Sequence, residues 1–430
     1  MPKERNLTPM DKNSSFNILM YSHDTYGLGH IRRTMAIAEQ LRKDDTNILI
    51  LTGSPIAGRL TFPKYVDYVR IPGMIKKAND EYFPLTIRID PVQAMDIRQS
   101  IIMATVKTFL PDLFIVDKEP QGLKKEVMPA LEWIKENLKQ TKTILGLRDI
   151  MDDAQTVISD WEKKNIYSTI EEFYTEVWVY GQKSIYDPVL EYKIPASIEK
   201  KLYFTGYIPR KVPKEGMAEA LRLQLNVMKN ENLITVTTGG GGDGFHVLDS
   251  YLKMLEKMKE QSILPAFQSI LVTGPFLSKN DTDIVVERAG ALGIQAYDFF
   301  PDMETLIAAS DLVVCMGGYN TLCEVLSSNI MSLVIPREIP RKEQYIRAKA
   351  FSNEHLVDYI PWSQLNASNL EEKILYMLDH KDDFKKAMNG FEMTGIVKIC
   401  ERISNFWNGK NGKQCTPDAM YGFERLSKDI

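Results

Sequence analysis

The chain has 430 residues, more than a single hydrophobic core usually organises and a comfortable length for two domains. Its 44% hydrophobic and 26% charged residues are the proportions of a globular protein and exclude a disordered or fibrous one. With Lys+Arg 53 against Asp+Glu 57, no global basic field exists to hold nucleic acid, so no nucleic-acid partner is expected.

The opening MPKERNLTPMDKNSS is polar where a secretory signal needs an apolar centre, and no uninterrupted apolar run approaches the ~18 residues of a membrane span. A cytoplasmic location is expected, with peripheral contact at the inner membrane face as the alternative setting. Cys315, Cys323, Cys400 and Cys415 show no CxxC spacing, and the first three lie in apolar or helical segments, so they read as buried thiols.

Taken in chain order, short runs rich in Ile, Val and Leu recur at Asn17–Tyr21, Asn47–Thr52, Leu113–Asp117, Lys142–Leu147 and Glu176–Tyr180. Runs of this kind, separated by helical spacing, are what buried parallel strands look like. After the first, Ile31, Met35, Ala38 and Leu41 share one helix face, leaving Arg32, Arg33 and Glu39 to point elsewhere. A second series starts beyond residue 210, with strands expected at Leu233–Thr237, Ser269–Thr273, Ile294–Tyr297, Leu312–Cys315 and Met331–Ile335, and a helix over Val247–Lys259.

Between the series, Thr205–Gly216 (TGYIPRKVPKEG) has the Pro, Gly and charge content of a linker. The expected architecture is α/β, with two doubly wound Rossmann-like domains facing a cleft. The first spans 1–210 and the second 211–394; helices over 395–408 pack back on the first, and 409–430 form a polar, mobile tail.

Several loops then stand out. Ser22–Arg33 (SHDTYGLGHIRR) joins a strand to a helix, and Gly27 and Gly29 would let a ligand reach the amides at the helix start. A GxGxxG dinucleotide fingerprint is absent because its third position is Arg32. His23, His30 and His246, three of five histidines, lie in such loops, where an imidazole can act as general base. His30 is the strongest of them.

Thr235–Phe245 (TVTTGGGGDGF) runs from a strand through Gly239, Gly240, Gly241, Gly242 and Gly244 into a helix, exposing amides suited to a diphosphate. No Gly-Lys-Ser/Thr follows, so it is not an ATPase loop. In Asp311–Leu326 (DLVVCMGGYNTLCEVL) a Gly317-Gly318 turn leads into a helix carrying Glu324, whose carboxylate suits the two hydroxyls of a ribose. Glu343 and Gln344 open a further helix on the same side. The pairs Asp152-Asp153, Asp281/Asp283 and Asp382-Asp383 read as helix starts and turns, and no HxxxH or HExxH spacing occurs, so no metal and no cofactor are expected.

Together these motifs resemble the GT-B glycosyltransferases, in the family 28 branch of the bacterial peptidoglycan N-acetylglucosaminyltransferase. GGGGDGF looks like that family's diphosphate loop, Phe299–Val314 like its uracil-holding segment, and GGYNTLCE with EQ like its ribose signature. The resemblance implies that Phe300 meets the base, Glu324 the ribose, Thr321 and Gln344 the donor's phosphate or sugar, and Arg210 a phosphate. YGLGH resembles the acceptor loop and carries the general-base role to His30. Where the family has paired glycines, this chain has Asp24-Thr25-Tyr26. Val116–Gly122 (VDKEPQG) and Gly146–Asp153 (GLRDIMDD) look like segments of an uncharacterised MurG-like group, which makes Asp117, Lys118, Arg148 and Asp149 acceptor-side candidates, against a reading as interdomain ion pairs.

The expected activity is inverting, metal-independent transfer of a sugar from a nucleotide-sugar, such as UDP-GlcNAc, to an acceptor hydroxyl in cell-envelope polysaccharide synthesis. GLGHIRRTMAIAEQL also resembles the GHxxR loop of UDP-sugar hydrolases of the same fold. A non-catalytic nucleotide-sugar-binding module is the third reading. The acceptor stays open: the basic and aromatic stretch Arg59–Phe83 suits a lipid-linked acceptor, a polysaccharide or a plain surface.

Overall fold

The computed structural model describes residues 15–23, 29–42, 45–76 and 81–411, with side chains as far as Trp407. Among them two parallel sheets form. The first contains β1 (Phe16–Ser22), β2 (Thr46–Thr52), β3 (Val66–Arg70), β6 (Leu113–Asp117), β7 (Lys142–Arg148), β8 (Glu176–Tyr180) and β9 (Leu202–Phe204), in the order β3-β2-β1-β6-β7-β8-β9. A small antiparallel hairpin, β4 (Met74–Lys76) with β5 (Tyr82–Pro84), follows β3. The second sheet contains β10 (Asn232–Thr237), β11 (Phe267–Val272), β12 (Gln295–Tyr297), β13 (Leu312–Cys315), β14 (Met331–Val334) and β15 (Asp358–Tyr359), in the order β12-β11-β10-β13-β14-β15.

The alternation of side chains along a strand explains why these segments are apolar almost throughout. In β1, Ile18 and Met20 enter one core while Leu19 and Tyr21 enter another on the opposite face, so both faces are covered by helices. The core on the Ile18 side is continuous with that of the second sheet, reaching Val236, Val314 and Leu333. The expected strands appear within a few residues of their positions. The short strands β3, β9 and β15 escaped notice because they lie at sheet edges, where partial exposure removes the apolar run: β3 buries only Val66.

Two details depart from expectation. The first half of the supposed linker is not solvated: Thr205, Tyr207 and Ile208 are buried, with Tyr207 centred 5.1 Å from Phe351 and 6.0 Å from Tyr319. Arg33 does not point away from the core either, since it is only 2% exposed. The last helix, Gly395–Asn411, stacks Trp407 on Phe16 at 4.8 Å and sets the Arg402 Nε 2.9 Å from Glu176, tying it to the first sheet. Beyond Asn411 the expected tail, with Cys415, lies outside the described residues. Cys315 and Cys323 are buried free thiols, and Cys400 is partly buried.

Candidate active site

Each sheet reverses its winding beside its first strand: β1 lies between β2 and β6, and β10 between β11 and β13. Ligands of doubly wound sheets bind at the carboxyl ends of strands at such reversals. Here the two crevices open into one cavity of about 550 Å³, walled by Gly29, His30, Arg32, Arg33 and Arg148 on one side and by the loops after β10, β13 and β14 on the other.

On the first wall, His30 is the second residue of the helix Gly29–Leu41, and Asp117 is the last residue of the neighbouring strand β6. The His30 Nδ1 lies 2.5 Å from an Asp117 oxygen, and Arg33, one helical turn after His30, places its Nη2 2.6 and 2.8 Å from the two Asp117 oxygens. Burial pushes the Asp117 carboxyl up, but Arg33 and His30 outweigh it and hold it well below the usual carboxylate range. An ionised Asp117 can only accept, so Nδ1 carries the proton and Nε2 keeps its lone pair. Burial lowers the His30 pKa to about 4 against the opposing pull of Asp117, so the imidazole is neutral at physiological pH. His23 stands edge-on to His30 at 5.7 Å, is lowered to about 3 by burial, and does not line the cavity. His246 packs against Trp362 instead.

On the second wall the glycine loop folds back on itself. Gly241 has φ +89°, and a Cβ there would fall 2.3 Å from the Thr273 carbonyl, so only glycine fits. The loop's own contacts occupy the N–H groups of Gly239 (to Thr237 Oγ1), Gly241 (to Thr238 O) and Gly244 (to Gly241 O). Among the described residues, no such bond uses the amides of Gly240 or Gly242, which line the cavity. The amides open to an anion are therefore fewer than the run of glycines implies. Gly244 is there for packing, since a Cβ would meet Thr238 at 2.3 Å.

Gly318, Thr321 and Gln344 also line the cavity, Gln344 with its Oε1 taking the Arg337 N–H at 2.9 Å. Other expected contacts lie behind the wall. Phe300 packs edge-on against Tyr297 at 5.2 Å, and Gly317 turns with φ +74° against Val334. Glu324 is buried and meets Arg32 of the first helix at 2.8 Å; burial raises its pKa against the pull of Arg32 and Arg210. Arg210 spends its guanidinium on Asn320 and the Arg32 carbonyl.

On the acceptor side, Asp149 is paired through both oxygens with Arg347 of the second unit, each contact 2.8 Å, which is the interdomain ion pair weighed against a binding role. Asp117 supports His30 from behind, and Lys118, with φ +67°, pairs with Glu119 at 3.2 Å; neither lines the cavity. Arg148 does line it, and Gly29 does too, offering its carbonyl to Asn320 at 2.9 Å. Gly27 lies outside the described residues. Of the discounted carboxylates, Asp153 caps the helix Ala154–Lys163, Asp152 accepts the Lys342 N–H at 2.8 Å, and Asp281, Asp382 and Asp383 sit in first helical turns.

The sequence reading passed over Arg33, Arg337, Asn320 and Phe276. For Arg33 a signal existed, because a residue three after His30 shares its helix face. Arg337, Asn320 and Phe276 carried no comparable local mark.

Residues 233–403 match the family described as Glycosyltransferase family 28 C-terminal domain. A relative from Staphylococcus carnosus, the UDP-N-acetylglucosamine--N-acetylmuramyl-(pentapeptide) pyrophosphoryl-undecaprenol N-acetylglucosamine transferase, is 26% identical over 222 residues, 47% of this chain. The chain spans only 58% of that relative's length. Among solved structures, MurG of Acinetobacter baumannii superposes with a TM-score of 0.57 at 13% identity, over 90% of this chain and 98% of the other. A UDP-N-acetylglucosamine 2-epimerase reaches 0.60 at 11% identity, over 95% of this chain and 100% of the other. These likenesses establish the GT-B fold of two Rossmann-like units and bear out the family 28 resemblance. Because an epimerase shares the fold, the reaction has to be argued from the site.

Proposed function

We propose that this chain, a GT-B fold whose residues 233–403 match the family 28 C-terminal domain, is a MurG-like glycosyltransferase that moves a sugar from a UDP-sugar, such as UDP-GlcNAc, to an acceptor hydroxyl with inversion and without a metal. The observation that carries the reading is the His30 imidazole, neutral and backed by Asp117, set across one cavity from the Gly240 and Gly242 amides.

In this mechanism the donor diphosphate lies on those amides and the start of the helix Phe245–Glu260, where the helix dipole favours negative charge. Thr321 and Gln344 hold the donor's phosphate or sugar. Glu324 receives the ribose diol once Arg32 gives way. The acceptor hydroxyl loses its proton to the His30 Nε2 as its oxygen bonds to the anomeric carbon from the face opposite the diphosphate. The bond to the diphosphate breaks with its electron pair going to the leaving oxygen, which the free amides stabilise. Asp117 offsets the positive charge that develops on the imidazole, and Arg33 keeps Asp117 ionised and in place.

No helix among the described residues is long and apolar enough to cross a membrane. We propose a cytoplasmic protein meeting its acceptor at the inner membrane face; the support is that the acceptor named for the Staphylococcus carnosus relative is carried on undecaprenol, a lipid. The test is UDP release from UDP-GlcNAc with and without a panel of hydroxyl acceptors. Acceptor-dependent release supports transfer. Equal release without acceptor replaces it with hydrolysis, and no UDP binding at all removes the reading.

A further inference from the structure

The Asp117 carboxylate behind His30 is itself held by Arg33, which sets its Nε 3.1 Å from one Asp117 oxygen and its Nη2 2.6 and 2.8 Å from the two. Hydrogen bonds along one edge leave a planar guanidinium free to pivot about that edge, so its faces also have to be fixed. Two rings lie beside it. The centre of the Arg33 guanidinium is 5.7 Å from the ring of Tyr180, the last residue of β8, and 5.6 Å from the ring of Tyr319. Both distances fall within the ~6 Å at which an aromatic face attracts a cation.

Tyr180 belongs to the same sheet as Asp117, whereas Tyr319 comes from the second unit, where it opens the helix Tyr319–Ser327. Tyr319 is buried, its hydroxyl accepts the Ile208 N–H of the crossing between the units at 3.3 Å, and Arg347 lies 5.9 Å from its ring. The next residue, Asn320, donates its Nδ2 to the Gly29 carbonyl at 2.9 Å. The first turn of this helix therefore grips the first unit at Gly29 and at Arg33, on either side of His30. Its neighbours Gly318 and Thr321 line the donor side of the cavity.

We propose that Tyr319 is a positioning residue for the general base: its ring holds Arg33, Arg33 holds Asp117, and Asp117 fixes the tautomer and direction of the His30 ring. The base on the first unit is then complete only with the second unit docked against it. The inference rests on the transferase reading above and deepens it by adding a residue that acts through Arg33.

The experiment uses the full-length protein with three changes at one position: Tyr319→Phe, which keeps the ring and loses the hydroxyl; Tyr319→Phe made with a fluorinated phenylalanine, which drains charge from the ring face and keeps its shape; and Tyr319→Leu. The first readout is the protonation of His30 in carbon-13 histidine-labelled protein, its signal identified by its loss in His30→Gln. Arg33 lowers the proton affinity of His30, so loosening it raises that affinity. Tyr319→Phe should match wild type, while Tyr319→Leu and the fluorinated ring should raise the His30 proton affinity at least about threefold. The second readout is UDP release from UDP-GlcNAc over the same panel of hydroxyl acceptors, with UDP affinity measured alongside. Tyr319→Leu should lower kcat about tenfold with UDP affinity within about twofold, and in an Arg33→Met background it should add less than about twofold.

Equal losses in Tyr319→Phe and Tyr319→Leu would trace the effect to the hydroxyl and the crossing, which is a structural role. A full tenfold loss in the Arg33→Met background, or a tenfold loss of UDP affinity, would mean that Tyr319 does not act through Arg33. Each of these overturns the inference, as does a His30 proton affinity that none of the three changes moves. If wild type releases no UDP with any acceptor, the transferase reading fails by itself, and the His30 titration still decides the role of Tyr319.

Discussion

Replacing Arg347 with Met tests whether the two units are clasped as the structure has them. Arg347 and Asp149 are each 1% exposed, joined by two contacts of 2.8 Å, and the same guanidinium donates to the carbonyls of Gly317 and Ile150 at 3.2 Å each. Among the described residues, the substitution leaves the buried Asp149 carboxylate with only the Tyr207 hydroxyl, at 3.3 Å, as a hydrogen-bond donor. Stranding one partner of a buried ion pair costs about 3–5 kcal/mol. A chain of 430 residues that unfolds with roughly 2.1 cal/mol/K per residue has an unfolding entropy of about 0.9 kcal/mol/K, so the thermal midpoint should fall by about 3–6 °C. Scanning calorimetry measures the shift, and urea unfolding followed by tryptophan fluorescence supplies the free energy. The double substitution Asp149→Leu/Arg347→Met should recover most of the loss, because no charge is then stranded. The reasoning fails if Arg347→Met costs less than about 1 kcal/mol, or if the double variant loses as much as both singles added.

Other outcomes follow from the site. His30→Ala should lower acceptor-dependent UDP release by about 10²–10⁴ while leaving UDP affinity unchanged, as removal of a general base requires; a fall below tenfold would place the base elsewhere. Because the folded-state pKa of His30 is depressed from 6.5 to about 4, the unfolded chain binds the proton first. The stability due to this group is therefore fully present above pH ~6.5 and is lost as pH falls toward 4, by up to about 3 kcal/mol. Urea midpoints measured between pH 4 and 7 should show less of this slope in His30→Gln. Gly241→Ala, which asks a side chain to adopt φ +89° and to sit 2.3 Å from a carbonyl, should displace the loop and weaken UDP binding at least tenfold by calorimetry; unchanged affinity would mean that the loop does not hold the diphosphate.

Much of the architecture was legible in the chain because it is local. Runs such as Leu113–Asp117 and Leu312–Cys315 are apolar on both faces, which only a covered parallel strand tolerates, and their alternation with helical spacing implies doubly wound sheets. The glycines after β10 and His30 after β1 could be located because each falls where a strand hands over to a helix, and the carboxyl end of a strand is where such folds bind ligands. Which side chains meet was decided elsewhere. Asp117 looked like an acceptor contact, yet it lies behind His30, 87 residues away in the chain, because β6 is the spatial neighbour of β1, a pairing that no local period records. Glu324 and Asp149 looked free to bind ligands until the packing of the two units brought Arg32 and Arg347 against them. Among the described residues, the same packing left the Arg148 Nε without a hydrogen-bond partner. Sequence periodicity sets which face of an element is buried, while the partner of a charge depends on the three-dimensional path of the chain, because a charge buried away from water is tolerated only where that path supplies a counter-charge or a ligand does.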